Sequence, residues 1–309
     1  CQAWTALSTG LGFGFSGTFW SQVVIAEVYG LSTCVAVVVM WVGIRAAELR
    51  DERWLMLLAY LMGLGLTTHL SQVLIWPGLV LLLVWGWPGI WRCAGLLGKG
   101  VLSLAGGYSL VLYLLLRNGR GPGFHWGPLD SPAQLWGHLS GTIYRSSFLS
   151  IPLEGALLNA QRWGAQVLDE FHPLLVLLMG WGVWVAIRKD RSTVVVAGMA
   201  VVLNLAAAWN YHRDPNGLGV FFLLSILGLA VFLGFAMDDV GRRLARVLPG
   251  NSGPVLVGAA VCLSVLVGNY ARSDRSQNWI PYTYGRDILQ GLPPGAVLLT
   301  EGDDASFIL

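Results

Sequence analysis

The chain has 309 residues, 55% of them hydrophobic and only 12% charged, with 15 Trp and a formal net charge of +2. A soluble domain carries about 25% charged residues, so this composition excludes an ordinary soluble enzyme and predicts an all-α polytopic membrane protein. The small net charge, with basic residues in short loops rather than on one face, excludes nucleic acid as a partner.

Residues 1–20 read as the end of an extracytoplasmic loop. Apolar windows of helical length follow at about 21–44, 54–67, 70–87, 96–117, 173–188, 193–209, 218–236 and 254–270. They predict a transmembrane domain of about eight helices over residues 21–270, although several windows fall short of the roughly 20 residues a spanning helix needs. The short loops 45–53, 88–99, 188–191 and 237–253 hold eleven of the nineteen Lys and Arg residues. By the positive-inside rule they lie in the cytoplasm. The turn at Thr68-His69, the loops 118–172 and 210–217, and the tail from 271 then face outside. The four cysteines (Cys1, Cys34, Cys93, Cys262) have neither CxxC nor zinc-ligand spacing and read as small core residues. No signal peptide precedes Cys1, and the chain stops in the apolar stretch "SFIL", so a longer protein cut at both ends is expected.

Candidate site residues occur along the outer side. In "FWSQVVIAEVYG", Glu27 and Tyr29 fall about a turn and a half into the first window. A carboxylate there costs a few kcal/mol unless it faces protein or water. Glu27 is therefore either an interfacial carboxylate reaching water or a polar group lining a cavity. His69 sits at a turn with Thr67, Thr68 and Gln72, as a structural hydrogen-bonding group or a substrate contact. Loop 118–172 is long enough to expect function. It contains "SPAQLWGHLSGTIYRSSF", read as a surface helix with Leu135, Trp136, Leu139 and Ile143 on one side. Tyr144 and Arg145 end that stretch, and Arg suits phosphate or lipid headgroups. In "NYHRDP", Arg213 and Asp214 either pair with each other or hold a charged headgroup. The tail 271–309 reads as the start of a small α/β extracytoplasmic domain, with a strand at Ala296–Thr300. Gly302-Asp303-Asp304 is favoured as a turn over a metal motif. No cofactor is assigned with certainty, no metal site is assigned, and a divalent metal stays open. Walker A, HExxH and GxSxG motifs are absent.

The blocks "FWSQVVIAEVYGL", "GLGLTTHLSQVLIWPGL", "GTIYRSSF", "RDPNGLGVFFLLS" and "YGRDILQGLPPGAVLLTEGDDASFIL" follow one another in an order that resembles the DUF2723 family. That family is typified by a eukaryotic transmembrane protein that O-mannosylates receptor ectodomains, and it falls among the GT-C glycosyltransferases. The resemblance implies a GT-C-like multi-helix bundle in a membrane, here expected to be a bacterial plasma membrane. It implies transfer of a sugar, mannose first, from a polyprenyl-phosphate-linked donor to a protein or envelope-glycan acceptor on the extracytoplasmic face, with inversion. The family's acidic catalytic residue belongs to a first outer loop and is expected upstream of Cys1, so the catalytic residue itself is unassigned. Glu27, Tyr29, His69, Tyr144, Arg145, Arg213 and Asp214 are the expected substrate-binding residues, and this stretch alone is expected to be inactive.

The chief alternative is a transporter or flippase for a polar or lipid-linked substrate, since intramembrane polar residues fit both. The absence of an internal repeat weighs against it. A non-catalytic assembly subunit is a second alternative.

Overall fold

The computed structural model describes residues 2–25, 27–121, 129–148, 150–211, 218–248 and 252–300. Residues 1–269 form one compact unit and 270–309 a second. Among the described residues the architecture is helical and contains no strand, as the long uncharged runs require: in lipid, each backbone N–H must be bonded within its own segment.

In chain order the helices are α1 (Gln2–Gly14), α2 (Gly17–Val23), α3 (Tyr29–Leu49) and α4 (Glu52–Thr68). A 3-10 turn, Leu70–Ile75, leads into α5 (Trp76–Gly86). Then come α6 (Ala94–Tyr108), α7 (Leu112–Asn118), the short α8 (Pro132–Leu139) and a 3-10 turn, Thr142–Ser147. Four long helices complete the first unit: α9 (Leu153–Glu170), α10 (Pro173–Lys189), α11 (Arg191–Trp209) and α12 (Leu223–Leu244). α13 (Ser252–Ser273) runs across the boundary, and α14 (Ile280–Gly291) lies in the second unit. Helix starts follow local chemistry. Asp51 caps α4 through the Arg53 amide at 2.7 Å, and Asp190 caps α11 through the Thr193 amide at 3.0 Å.

Among the described residues, five segments are long and apolar enough to cross a membrane, namely α3, 94–118, α11, 219–244 and α13. α9 and α10 pass the same test only as a pair, bent by 107°, while Leu70–Gly86 is apolar but short. The chain is thus an integral membrane protein. The eight expected windows reduce to these because α4, α5 and α10, at 17, 11 and 17 residues, are short for a span.

Close crossings rest on glycine. A Cβ on Gly63 would collide with the Leu104 carbonyl, and one on Gly107 with the Tyr60 carbonyl, so α4 and α6 touch backbone to backbone. Gly182 of α10 lies equally close to the Phe232 carbonyl of α12. At the basic end, Lys189 and Arg243 both bond Asp239, at 3.2 and 2.9 Å.

Four expectations are corrected. Residues 2–14 are not loop but helix: Ser8 and Thr9 of α1 lie against Gly258 and Gly234, and Cys262 Sγ donates to the Ser8 carbonyl at 3.2 Å. Its Ser, Thr and Gly residues read as loop, yet small side chains are what lets helices approach in a membrane. Glu27 is not inside a helix, because α2 ends at Val23 and α3 starts at Tyr29. The β-branched run Val23-Val24-Ile25 is poor helix-forming sequence, and Glu27 is exposed. Residues 296–300 form no strand, and Gly302-Asp303-Asp304 lies outside the described residues. Cys34 and Cys93 are exposed rather than in the core.

The expected surface helix is α8 with the 3-10 turn after it. Ser131 caps it through the Gln134 amide at 3.2 Å, and Trp136 is 68% exposed. The side chain of Ile143 lies outside the description.

Candidate functional site

The end of the bundle opposite Asp239 collects most of the expected site residues. α4 stops at Thr68, where Thr67 and Thr68 fold their hydroxyls back onto the Leu64 and Gly65 carbonyls, both at 2.7 Å. His69 is extended, with φ −164° and ψ 141°, and caps the next turn. Its Nδ1 accepts the Ser71 amide at 3.1 Å and lies 2.8 Å from the Ser71 hydroxyl. An Nδ1 that accepts leaves the proton of the neutral ring on Nε2. Burial pushes the imidazole below its ordinary pKa, so at neutral pH His69 is an uncharged Nε2–H donor.

The Tyr29 ring lies 5.3 Å from that imidazole, tilted by 50°. Both are held by Gln72, 2% exposed, whose amide donates to the Ser32 carbonyl at 2.7 Å and to the Ser32 hydroxyl at 2.8 Å. This bond fixes the start of α3 against the turn after His69. Gly141, with φ 61°, packs its backbone on the Leu70 side chain, which brings the Thr142–Ser147 turn beside the same region. Tyr144 is 49% exposed. Arg145 is exposed and has no carboxylate partner among the described residues. At its far end the turn makes an antiparallel bridge from Phe148 to Tyr211, with ring centroids 4.8 Å apart. Arg213 and Asp214, expected two and three residues later, lie outside the described residues.

The structure therefore joins Tyr29 to His69 directly. It carries Tyr144 and Arg145 on a turn that leans on Leu70, and leaves Glu27 exposed on the connector two residues before Tyr29. Among the described residues no group of three or more His, Cys, Asp or Glu is placed to hold a metal ion.

Sequence reasoning missed a second polar junction at this end. α9 turns one face inward: Asn159 donates to the Trp209 carbonyl at 3.1 Å, Trp163 to the Ser225 hydroxyl at 3.1 Å and Gln166 to the Gly219 carbonyl at 3.3 Å. Glu170, 5% exposed, accepts from the Thr18 hydroxyl and from Gln166, the latter at 3.0 Å. Asn269 of α13 donates to the Glu170 carbonyl at 3.0 Å. The spacing 159, 163, 166, 170 is one helical face, and Pro173, at the start of α10, was the available signal that a helix ends just before it.

Residues 1–88 match the family described as Protein O-mannosyl-transferase TMEM260 N-terminal domain. A Protein O-mannosyl-transferase tmem260 of Dictyostelium discoideum is 22% identical over an alignment that covers 97% of this chain. The chain spans 42% of that relative's length. No solved structure matches. The matched residues 1–88 include Glu27, Tyr29 and His69, and the resemblance carried by the sequence blocks points the same way: this integral membrane chain is similar to protein O-mannosyl-transferases.

Proposed function

We propose that the chain is part of a GT-C glycosyltransferase of a bacterial plasma membrane, transferring mannose from a polyprenyl-phosphate carrier to a hydroxyl of an extracytoplasmic protein or envelope glycan. The observation that carries the reading is the pairing of Tyr29 with His69 inside the region similar to the O-mannosyl-transferase family. In the transfer, the bond from the sugar's C1 to the phosphate oxygen breaks as the acceptor oxygen bonds C1. The acceptor proton passes to a general base, a role none of the residues placed here is assigned. The carrier keeps its phosphate and leaves as the anion.

The residues at this end suit that leaving group and sugar. Arg145 offers a planar, permanently charged donor set to the phosphate. The neutral His69 offers one N–H to a sugar hydroxyl or phosphate oxygen, and Tyr29 and Tyr144 offer ring faces and hydroxyls. Glu27, with Arg213 and Asp214, completes the proposed set.

The test uses the full-length protein in membranes, supplied with radiolabelled polyprenyl-phosphate mannose. Label leaving the lipid fraction for protein or glycan supports the reading. No consumption of mannosyl, glucosyl or arabinosyl carriers overturns it in favour of transport.

A further inference from the structure

One polar face of α9 is turned into the protein. Asn159, Trp163, Gln166 and Glu170 all bond inward, as described above. A leucine stripe runs outward, with Leu153 75% exposed, Leu157 55% and Leu168 51%, and beside it lies a second polar face of exposed Glu154, Gln161 and Asp169. The helix meets α10 at 107°. Phe171 is fully buried, and His172 caps α10 through the Leu174 amide at 3.3 Å.

Along this elbow lies an open apolar groove of about 310 Å³. Gly164, Val167 and Leu168 of α9 line it with Met179 and Gly180 of α10 and Leu229 of α12. Its two glycines differ from those at the helix crossings. A Cβ on Gly63 or Gly182 would strike a carbonyl, whereas a Cβ on Gly164 or Gly180 would meet no atom within 4 Å. Here glycine keeps space open instead of closing it.

Such an apolar groove offers water no hydrogen-bond partner, and leaving it uncovered forfeits the dispersion contacts of its lining. Its surroundings indicate the occupant. The apolar side of α10 continues from it, with Leu174 59% and Leu177 72% exposed. In an integral membrane protein such a surface faces hydrocarbon. The most concentrated apolar species at that surface is the acyl chain of bulk phospholipid.

We propose that the α9–α10 elbow is a lipid-binding groove that takes one acyl chain of a bilayer phospholipid, with the leucine stripe of α9 immersed beside it. The lipid completes the packing of a helix whose own outward side chains do not reach across the bend. The proposal does not depend on which reaction the protein catalyses.

Native mass spectrometry of the full-length protein, extracted in mild detergent, tests it. The parent is expected to retain phospholipid, and Gly164→Leu combined with Gly180→Leu to retain one fewer molecule per chain at unchanged helix content by circular dichroism. Equal retention, or retention of a polyprenyl species in place of phospholipid, overturns the proposal. A second measurement is independent of the glycines. A nitroxide on Leu168→Cys, in a background without the native cysteines and reconstituted in phosphatidylcholine vesicles, is expected to be reached by oxygen and shielded from a water-soluble nickel chelate. The reverse pattern, or shielding from both, overturns it.

Discussion

His69 and Tyr29 stand 5.3 Å apart, ring to ring, across the junction of α3 and the turn that follows α4. Forty residues separate them in sequence, and the pair exists because Gln72 bonds Ser32 one turn away. The site is thus built by two helix ends and a buried amide, and the proposed sugar contacts inherit their precision from that amide.

The first prediction concerns the imidazole. His69→Ala removes one neutral Nε2–H donor and is expected to lower transfer by roughly tenfold, the worth of a hydrogen bond of about 1.4 kcal/mol. His69→Gln, which keeps a donor, is expected to recover part of it. Loss of labelled mannose from the carrier, measured in membranes containing full-length variants, checks both.

A pH dependence follows from the same ring. Burial lowers the pKa of His69 in the folded protein below its ordinary value near 6.5. Between the lowered value and 6.5 the unfolded chain binds the extra proton and the folded chain does not. The stability contributed by the neutral ring is therefore complete above about pH 6.5 and is lost as pH falls below it. Thermal unfolding in nanodiscs is expected to show a lower midpoint at pH 5 than at pH 7.5, with the difference reduced in His69→Asn. Equal differences in parent and variant would remove His69 from the account.

Arg145 separates binding from folding. Its guanidinium is exposed and has no carboxylate partner among the described residues, so Arg145→Ala is expected to leave the unfolding midpoint within a degree or so, as surface changes generally do. Transfer is expected to fall about tenfold or more as a charge-assisted contact to phosphate is lost. Arg145→Lys is expected to recover only part, since the ammonium lacks the planar fork. An unchanged rate in Arg145→Ala sinks the phosphate role.

What the sequence disclosed divides along physical lines. Long uncharged runs are unambiguous, so α3, α11, α12 and α13 were legible. Tyr29 and His69 were also legible, because a polar residue next to such a run demands a reason. α1 was not, since Ser8, Thr9 and Gly12 look like loop until a neighbouring helix fills the space beside them. α9 was not, because "LEGALLNAQRWGAQVLDE" places the polar residues of one face where a partner, not water, receives them. Hydropathy records what a side chain prefers in water and is silent about a hydrogen bond supplied from 50 residues away.

The last prediction rests on Thr18 and Glu170, which join α2 to the elbow of α9 and α10. Glu170 is buried, and Gln166 bonds the carboxylate and the Gly219 carbonyl together. Removing the carboxylate leaves the Thr18 hydroxyl without this acceptor in a part-buried junction, where Gln166 keeps only the Gly219 carbonyl and the Thr18 oxygen. Glu170→Ala is expected to destabilise the bundle by about 1–3 kcal/mol, the usual cost of orphaning buried polar groups. Glu170→Gln keeps an acceptor oxygen for Thr18 and is expected to cost less. Thr18→Val combined with Glu170→Ala is expected to cost less than the two changes summed, because the partners stand in one network. Unfolding in detergent, followed through the cycle of single and double variants, reads the coupling directly. Strict additivity would mean that Thr18 and Glu170 stabilise the bundle independently.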